Sequence, residues 1–403
     1  MRRLSIALLL MFSILPLAVT CKTCRNPVSD GGSNHSPNET IAVTNGFLID
    51  GTGSSPLPDA VIIIQDGYIE SVGTPVTIEI PAGASSIDLE GAYILPGFMN
   101  THVHSGYDEN NLKQWAKSGV TTVRDLGNFT DTPGEAFSRR SALLRDNENS
   151  RLVAAGPMVT TVGGYGNYEV TSPVDARAKV NGLIDSGADL IKIAIEDNLQ
   201  GRNWPMLSLE EITAIVQTAH ARDRQVSAHV SRSSHLDMAV KSGVADVAHM
   251  VVDVLPDSLI SAMIEKDIYW VPTLELWKGV SEYHDLDWDD IAKDNLGRFA
   301  RAGGKVALGT DFDGYIIPFE LGMPILEMQL MLAVGMTPME IIVAGTRHAA
   351  HVCDMDSELG TIEPGKIADL IAVDGNPLDD LESLLSIELV IHNGEIIIDN
   401  TVY

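Results

Sequence analysis

Strand-like and helix-like segments alternate through the middle of the chain, and this alternation constrains the fold more than any other feature. The helical segments include residues 207–222 and 234–242, and the strand candidates are 97–102, 121–126, 152–159, 190–195, 225–229, 244–250, 269–274 and 306–310. Such an alternation of eight strands with helical patterns, over about 250 residues, predicts an α/β chain folded as a (β/α)8 TIM barrel. A doubly wound open sheet also alternates, but it is expected to carry a glycine-rich phosphate-binding turn after its first strand, where this sequence has none.

Short β-rich segments flank the alternating region on both sides. They are residues 42–44, 60–64 and 77–80 before it, and 369–373, 389–392 and 395–398 after it. Asp66-Gly67 and Asn393-Gly394 are typical of hairpin turns. Because two β-rich ends can pair, we expect a small β-sandwich domain made of residues 41–95 and 353–403, with the barrel formed by residues 96–352. A large barrel with a satellite domain suits a chain of 403 residues.

The first 20 residues have the pattern of an export signal. A basic start, Arg2-Arg3, precedes an apolar run that is too short for a typical membrane span. Residues 17–21 also resemble a bacterial lipoprotein cleavage site, in which Cys21 would be lipidated and anchored to a membrane; the alternative is an ordinary secretory signal with an incidental cysteine. Residues 21–40 have the composition of a polar linker. We therefore expect an exported protein, either periplasmic, secreted or a lipoprotein of the cell envelope.

Charge and cysteine content exclude several classes of function. The net charge is -28, from 55 acidic and 27 basic residues, and such a surface repels the phosphate backbone of nucleic acids. The three cysteines, Cys21, Cys24 and Cys353, are too few for a disulfide framework or a zinc–thiolate cluster. A bound metal would therefore need histidine, carboxylate or lysine-derived oxygen ligands.

Polar residues of the metal-binding type lie at the ends of five predicted strands, where a barrel collects its functional groups. They are His102, His104, Lys192, His229, His249 and Asp311. Each is ambiguous alone, since a histidine can be a core residue and an aspartate can cap a helix. The lysine is more informative, because it stands between Ile191 and Ile193 and lysine is rarely buried without a partner. Together the six residues predict a metal site.

Five motifs extend this pattern. They are LPGFMNTHVH at residues 95–104, GVTTVRDLG at 119–127, GADLIK at 187–192, LGTD at 308–311 and GTIEPGKIADL at 360–370, which continues to NPL at 376–378. The chain that carries them resembles the amidohydrolase superfamily, in the branch of imidazolonepropionase-like enzymes, metal-dependent prolidases and acyl-amino-acid hydrolases. The resemblance covers residues 41–400 in order.

The resemblance implies two divalent metal ions, with zinc as the default and manganese, iron or cobalt as alternatives. It implies that His102, His104 and Asp311 hold the more buried ion and that His229 and His249 hold the more exposed one. Lys192, carboxylated by carbon dioxide, would bridge both. Carboxylation turns a cation into an anionic oxygen ligand, and burial supplies the neutral amine that it requires.

The resemblance also implies a function. A metal-bridging hydroxide would hydrolyse an amide bond in a small molecule, for which we expect a dipeptide or an N-acyl amino acid, and Asp311 would be the catalytic residue that accepts its proton. One alternative is hydrolysis of a small cyclic amide or ester, or deamination of a ring. Another is a non-catalytic extracytoplasmic binding protein, although a binding role gives no reason to keep all six metal-type residues. We expect the protein to be a homo-oligomer.

Two departures from the family pattern concern the substrate. Ser231 stands where a second histidine is common, and Gly163-Gly164-Tyr165-Gly166 stands where Gly-Gly-His-Gly is common. The substrate of a relative therefore cannot be transferred to this chain. Residues in loops at the expected barrel mouth, where specificity is set, are candidates for holding a substrate carboxylate or carbonyl. They are Tyr165, Tyr168, Arg232 and His235.

Overall fold

The structure, a computed structural model, describes residues 40–199 and 201–401 and has a mixed α/β fold. The predicted export signal, Cys21 and all but the last residue of the predicted linker lie outside the described residues. Within those two ranges, no helix combines the length and the apolar character needed to cross a membrane.

Strands from both ends of the described chain form one eight-stranded sheet. Its members are β1 (Thr40–Leu48), β2 (Leu57–Gln65), β3 (Tyr68–Gly73), β4 (Ser85–Asp88), β5 (Tyr93–Pro96), β17 (Leu370–Val373), β18 (Ile387–His392) and β19 (Glu395–Asp399). The strand order is β19-β18-β17-β5-β1-β2-β3, with β4 also paired to β1. The antiparallel pairing of β17 with β5, in which Leu370 faces Pro96, joins the two ends. Alternate residues such as Val43, Ile62 and Leu370 bury one face in a shared apolar cluster.

One of the predicted strands in this region is wrong. Residues 77–80 form no strand, and the sheet uses β4 instead. The backbone N–H groups of Thr77 and Ile78 both donate to the carbonyl of Thr74 at 2.9 Å, and the Thr74 N–H donates to Thr77 Oγ1 at 2.9 Å. These local hydrogen bonds give the backbone partners that compete with those of a sheet, despite the β-rich composition.

The middle of the chain contains two parallel sheets. One has the order β6-β7-β8 and the other β10-β9-β11-β14-β15-β16. Their strands are β6 (Phe98–Val103), β7 (Val120–Asp125), β8 (Arg151–Ala154), β9 (Val159–Thr161), β10 (Tyr168–Val170), β11 (Ile191–Ala194), β14 (Val226–His229), β15 (Asp246–Ala248) and β16 (Tyr269–Val271). A small hairpin, β12 (Asn198–Leu199) and β13 (Arg202–Asn203), follows β11.

Helices follow or separate these strands, as the alternation predicts. They are α1 (Glu109–Lys117), α2 (Pro133–Leu143), α3 (Pro173–Ser186), α4 (Leu209–His220), α5 (Ser233–Ser242), α6 (Asp257–Glu265), α7 (Leu274–His284), α8 (Trp288–Arg301), α9 (Ile325–Ala333), α10 (Pro338–Gly345) and α11 (Arg347–Val352), with a 3-10 helix at Leu381–Leu385. The start of α4 is set by a capping box, in which Ser208 Oγ accepts from the Glu211 N–H at 3.2 Å and Glu211 Oε2 accepts from the Ser208 N–H at 2.9 Å. Apolar faces of the helices pack on the strands in one large core.

Two predicted strands differ from the structure in their continuity. The segment predicted as residues 152–159 is divided into β8 and β9 around Gly156, whose φ of 73° is a left-handed conformation that glycine adopts without strain. The segment predicted as residues 306–310 forms no strand. Val306 makes an isolated bridge to Trp270, and Phe312, two residues beyond the segment, makes another to Val103.

The last of these segments connects the two parallel sheets. The Ala307 N–H donates to Trp270 O at 2.9 Å on one side, and the Asp311 N–H donates to His102 O at 2.9 Å on the other. The carboxyl ends of β6, β14 and β15 and the residue Asp311 are thereby brought together.

Candidate metal centre and substrate pocket

The four histidines predicted to bind metal come together at the carboxyl ends of the parallel strands. His102 lies in β6, His104 follows it, His229 ends β14 and His249 follows β15. The ring centroids of His102 and His249 are 4.9 Å apart, those of His229 and His249 are 4.7 Å apart, and those of His102 and His104 are 5.5 Å apart. Such spacing lets neighbouring imidazoles share a bound ion.

Asp311 lies beside two of these histidines. Its Oδ1 is 2.9 Å from His102 Nε2 and 3.1 Å from His104 Nε2. Ligand atoms of His102, His249 and Asp311 all lie within 4.8 Å of one another. Asp311 and His249 also have left-handed backbone conformations, with φ of 65° and 72°. Residues held in this region cost on the order of 1–3 kcal/mol and cluster at functional sites. Turn residues elsewhere in the described chain, such as Asp66 and Asn393, adopt it as well, so the conformation agrees with a functional site but does not identify one.

Lys192 is buried, and none of the described acidic side chains forms an ion pair with it. It is 2% exposed, and its Nζ has no hydrogen-bond partner in the part of the chain that the structure describes. Burial lowers the pKa of Lys192 to about 7, so the neutral amine is well populated near neutral pH. An unpartnered, partly neutral amine fits the requirement for carboxylation, and the resulting carbamate would provide the ligand that the amine itself lacks.

The protonation states fit a divalent cation. Burial lowers the pKa of His102 to about 3 and that of His249 well below its usual value, which leaves both imidazoles neutral, as metal binding requires. Burial acts to raise the pKa of Asp311, but the neighbouring His102 and His249 outweigh it and hold that pKa well below the usual range. Burial opposes protonation of His104 as well, but its hydrogen bond to Asp311 and the charge of that carboxylate raise its pKa. The neutral imidazoles of His102 and His249 beside an ionised carboxylate are a ligand set suited to zinc and similar ions.

Two of the rings are held in orientation by a second hydrogen bond. His104 Nδ1 is 3.1 Å from the carbonyl of Gly127, and His249 Nδ1 is 2.9 Å from Thr273 Oγ1. In metal sites such outer partners fix the tautomer and direct the other nitrogen toward the ion. Both residues therefore present Nε2 toward the centre.

A pocket with largely apolar and aromatic walls opens beside the histidines. Its lining includes Tyr165, Trp204, Leu276, Trp277, Val280 and Tyr315 together with His229, His249 and Asp311. Arg202, on the β12–β13 hairpin, adds a cation to the same lining. Apolar walls with a few polar groups are typical of sites for small molecules.

The structure places the four predicted substrate residues differently. Tyr165 lines the pocket, with its ring 4.7 Å from that of His229 and 5.2 Å from that of Trp204. Tyr168 starts β10, Arg232 precedes α5 as its N-cap, and neither lines this pocket. His235, expected in a loop, lies buried within α5.

Two acidic residues that were not predicted from the sequence, Glu196 and Asp197, follow β11. Glu196 Oε2 is 3.3 Å from His229 Nε2, and Asp197 Oδ1 is 3.0 Å from His235 Nε2. Glu196 follows Lys192 by four residues, so both would share one face of a continuing strand. That spacing was the available signal. The pocket walls Trp204 and Trp277 were not predicted either, because one follows the β12–β13 hairpin and the other lies in α7, far apart in the sequence.

Comparison with known proteins gives a consistent result over most of the chain. Residues 93–397 match the model of the Amidohydrolase family. The chain is 26% identical to an ochratoxinase from Aspergillus niger, over 94% of this chain and 90% of that protein. It is also 26% identical to an imidazolonepropionase from Thermoanaerobacter pseudethanolicus, over 80% of this chain and 86% of that protein. A solved Xaa-Pro dipeptidase with methionine bound in its active site superposes with a TM-score of 0.79 and 26% identity, covering 89% of this chain and 99% of that one.

Proposed function

The chain belongs to the amidohydrolase family, and from this premise we propose that it is a metal-dependent hydrolase of carbon–nitrogen bonds that cleaves an amide in a dipeptide or an N-acyl amino acid. One observation carries the proposal. Buried neutral imidazoles and the carboxylate of Asp311 converge beside an apolar pocket, at the strand ends of a chain that also buries Lys192.

We propose that the parallel strands are the wall of a (β/α)8 barrel and that residues 41–95 and 353–403 form the accompanying small β domain. The barrel is supported by contacts at the two junctions between the sheets. At one junction, segment 305–312 hydrogen-bonds to β16 and β6. At the other, the N–H of Asp189, just before β11, donates to the carbonyl of Ala154 in β8 at 3.0 Å. A ring of this kind would place the six metal-type residues at one mouth.

The proposed cofactors are two divalent metal ions, with zinc favoured by the histidine-rich ligands. The residues that would hold them are His102, His104, Lys192 in carboxylated form, His229, His249 and Asp311. When bound, the ions supply an activated water near neutral pH and polarise the amide carbonyl.

The protein's own groups handle protons and position the substrate. Asp311 is ionised and can take up the proton of the attacking water and deliver it to the leaving nitrogen. Burial raises the pKa of Tyr165, which keeps its hydroxyl protonated beside His229, where it can donate a hydrogen bond to the substrate carbonyl. Trp277, which is buried in α7, excludes water from the same wall.

The pocket supports a substrate with one apolar side chain and one negative charge. Trp204, Trp277 and Leu276 favour an aromatic or large aliphatic group, and Arg202 can bind a carboxylate at the pocket edge. An N-acyl amino acid has these features, and so does a dipeptide with an apolar side chain and a free carboxylate. The Xaa-Pro dipeptidase structure gives the dipeptide version independent support.

Hydrolysis of a cyclic amide is the second candidate, favoured by the similarity to an imidazolonepropionase. A panel of N-acyl amino acids, dipeptides and small cyclic amides, each assayed with metal-reconstituted protein, separates the candidates. We expect the highest kcat/KM on linear amides with an apolar residue and a free carboxylate. Preferential opening of the cyclic amides would favour the alternative. If fully metal-loaded protein cleaves no member of the panel, the proposal is wrong.

Export remains part of the proposal and rests on residues 1–21. Mass spectrometry of the native protein should show a mature chain that lacks the first ~20 residues. A diacylglyceryl group on Cys21 would identify a lipoprotein, and an intact Met1 in a cytoplasmic fraction would contradict both versions. Sedimentation of the same sample measures the proposed homo-oligomer.

A further inference from the structure

We propose that a second cavity beside the candidate metal centre binds the ammonium group of the substrate, so that the enzyme is a dipeptidase and prefers a free N-terminal amine to an uncharged acyl group. The binding groups are Asp108, Asp125 and Asp313, with the hydroxyl of Tyr107. This assignment rests on the proposed function, which leaves dipeptides and N-acyl amino acids as equal candidates.

The cavity lies between the loop that follows β6 and the residues that end and follow β7. Its volume is about 330 Å³, within the range of sites for small molecules. His104 lines this cavity and Asp311 lines the apolar pocket, and His104 Nε2 is 3.1 Å from Asp311 Oδ1. A substrate whose amide lies at the metal centre can therefore extend into both spaces.

The lining of the cavity carries more negative than positive charge. Its acidic residues are Asp108, Asp125 and Asp313, and the lysine and arginine residues of the described chain contribute Arg139 alone. The Arg139 side chain is 54% exposed and lies 3.8 Å from Asp131, a carboxylate outside the lining. A cation that enters the cavity would thus meet three carboxylates and one guanidinium that already has an acidic neighbour.

Hydrogen bonds orient these carboxylates without neutralising them. Asp125 is 1% exposed, and its oxygens accept from the backbone N–H groups of Gly106 at 3.0 Å and Gly127 at 3.1 Å. Asp313 accepts a hydrogen bond from Ser105 Oγ. An ionised carboxylate has about four acceptor sites, so both side chains retain lone pairs for an ammonium group.

Tyr107 gives a second and independent sign that the cavity binds a polar group. It lines the cavity and is 5% exposed, and its hydroxyl has no hydrogen-bond partner in the described part of the chain. Burial raises the pKa of Tyr107, so the hydroxyl stays protonated and uncharged. Unpaired aspartates are common in a chain with 55 acidic and 27 basic residues, but a buried hydroxyl without a partner is not. An ammonium group would supply that partner.

The two spaces are complementary to the two ends of a dipeptide. Arg202 can bind the carboxylate at the edge of the apolar pocket, whereas the aspartates suit the amine. In a dipeptide one carbon separates the amine from the amide carbonyl, so the ammonium would lie next to the metal centre. Asp313 follows Asp311 by two residues and is suitably placed for it. An uncharged acyl group would bury these carboxylates without a positive partner, which is unfavourable.

Glycyl-phenylalanine and N-propionyl-phenylalanine form a matched pair of substrates, because they differ only by an ammonium group in place of a methyl group. With zinc-reconstituted wild-type protein at pH 7, we expect kcat/KM to be about tenfold or more higher on glycyl-phenylalanine, the effect of one charge-assisted hydrogen bond. The preference should decline as the pH rises through about 8, where an α-amine loses its proton.

Variants separate binding of the ammonium from its effect on the reactivity of the carbonyl. Asp108→Asn preserves a helix cap, and Asp313→Asn preserves an acceptor for Ser105. In the double variant we expect kcat/KM on glycyl-phenylalanine to fall about tenfold, with a much smaller loss on N-propionyl-phenylalanine. Glu109→Gln is the matched control, because Glu109 is next to Asp108 but pairs with Lys113 at 3.3 Å and does not line the cavity. It should keep the wild-type preference.

Equal kcat/KM on the two compounds in wild type, or an unchanged preference in the double variant, would overturn the inference and leave the proposed function standing. Failure of the proposed function looks different, since fully metal-loaded protein would then cleave no amide. In that case calorimetry on the same protein compares the affinities of the two compounds. Tighter binding of glycyl-phenylalanine by wild type than by the double variant would support the ammonium site, and equal affinities would overturn it.

Discussion

The guanidinium of Arg124 binds the carboxylate of Asp246 through two parallel hydrogen bonds, each 2.9 Å long, and neither side chain is exposed to solvent. Ser227 Oγ also donates to Asp246, at 2.7 Å. Strand register aligns Asp246 with Ser227 and Ser227 with Lys192. Asp246 therefore lies in the same row of strand positions as Lys192. The buried ion pair belongs to the protein interior that supports the candidate metal centre.

Removing one partner of this ion pair should lower the free energy of unfolding more than replacing both partners with apolar residues. We expect Asp246→Ala to destabilise the metal-free protein by ~3–5 kcal/mol, because it leaves the Arg124 charge buried and unpaired. Replacing both residues, as Arg124→Met with Asp246→Leu, should cost clearly less than Asp246→Ala alone. Denaturant unfolding of wild type, the single variant and the double variant measures the difference. A double variant that is no more stable than the single one contradicts this account.

Two buried carboxyl groups at the start of α7 make stability depend on pH. Glu327 accepts from the backbone N–H groups of Leu274 at 2.9 Å and Glu275 at 2.7 Å. Burial raises the pKa of Glu327 to about 8 and that of Glu275 to about 7, from 4.5 for an exposed glutamate. Both are thus protonated in the folded state at pH values at which the unfolded chain is ionised. Their contribution to stability is complete below pH 4.5 and is lost as the pH rises toward 8.

Glu327→Gln isolates this effect. The amide cannot ionise, so we expect the decline of Tm between pH 5 and pH 8 to be shallower in the variant than in wild type, although the amide caps α7 less well and can lower Tm at acidic pH. The ionisable groups that both proteins share contribute equally to the two pH profiles of Tm, so the difference between the profiles reports on Glu327. Parallel profiles across that range would mean that Glu327 is ionised in the folded protein.

The general order of strands and helices could be predicted because hydrophobic periodicity and caps are local signals. Ser208 and Glu211, three residues apart, are sufficient to indicate where α4 begins. Local sequence patterns gave wrong strand predictions where other interactions determined the backbone conformation. Residues 77–80 are β-rich, but the backbone N–H groups of Thr77 and Ile78 find their hydrogen-bond partner in a turn at Thr74. Gly156 divides a strand that looks continuous in the sequence.

The candidate site could be predicted in part for the same reason. His102, His229 and Asp311 stand out because each ends a predicted strand segment. Glu196 and His235 do not, since their meeting depends on how α5 packs beside the residues that follow β11. The pocket walls Trp204 and Trp277 are set by tertiary packing of distant elements, which composition and spacing do not encode.

The apolar wall of the pocket should determine substrate preference. Trp204→Ala removes an aromatic surface that contacts Tyr165, and we expect kcat/KM to fall by about tenfold or more on substrates with an aromatic side chain. Substrates with a small side chain should be affected much less. Tyr283→Ala is the control, because Tyr283 is an exposed aromatic on α7 that does not line the pocket. An equal loss on all substrates in Trp204→Ala would indicate a general structural effect.

Lys192 should be required for the second metal ion. Glutamine cannot be carboxylated, so we expect Lys192→Gln to retain one equivalent or less, against close to two in wild type. Wild-type protein reconstituted with labelled bicarbonate should show a carbamate carbon signal in nuclear magnetic resonance spectra, and the variant should not. A stable value near one in wild type, with unmodified Lys192 in a crystal structure, would contradict the binuclear assignment.

Asp311→Asn should abolish turnover while leaving substrate binding largely intact. The asparagine keeps the shape of the side chain and one oxygen near His102 and His104, but it cannot take up a proton. Loss of a general acid–base group typically costs ~10²–10⁴-fold in rate, whereas contacts made equally in the ground and transition states persist. We therefore expect kcat to collapse with a much smaller change in the Kd of a competitive inhibitor. Metal content must be measured in the same sample, because Asp311 is also a proposed ligand. A variant that keeps both ions and hydrolyses its amide within a few-fold of the wild-type rate would show that the proton is carried by another group, and Glu196, a buried carboxylate beside His229, would be the next residue to replace.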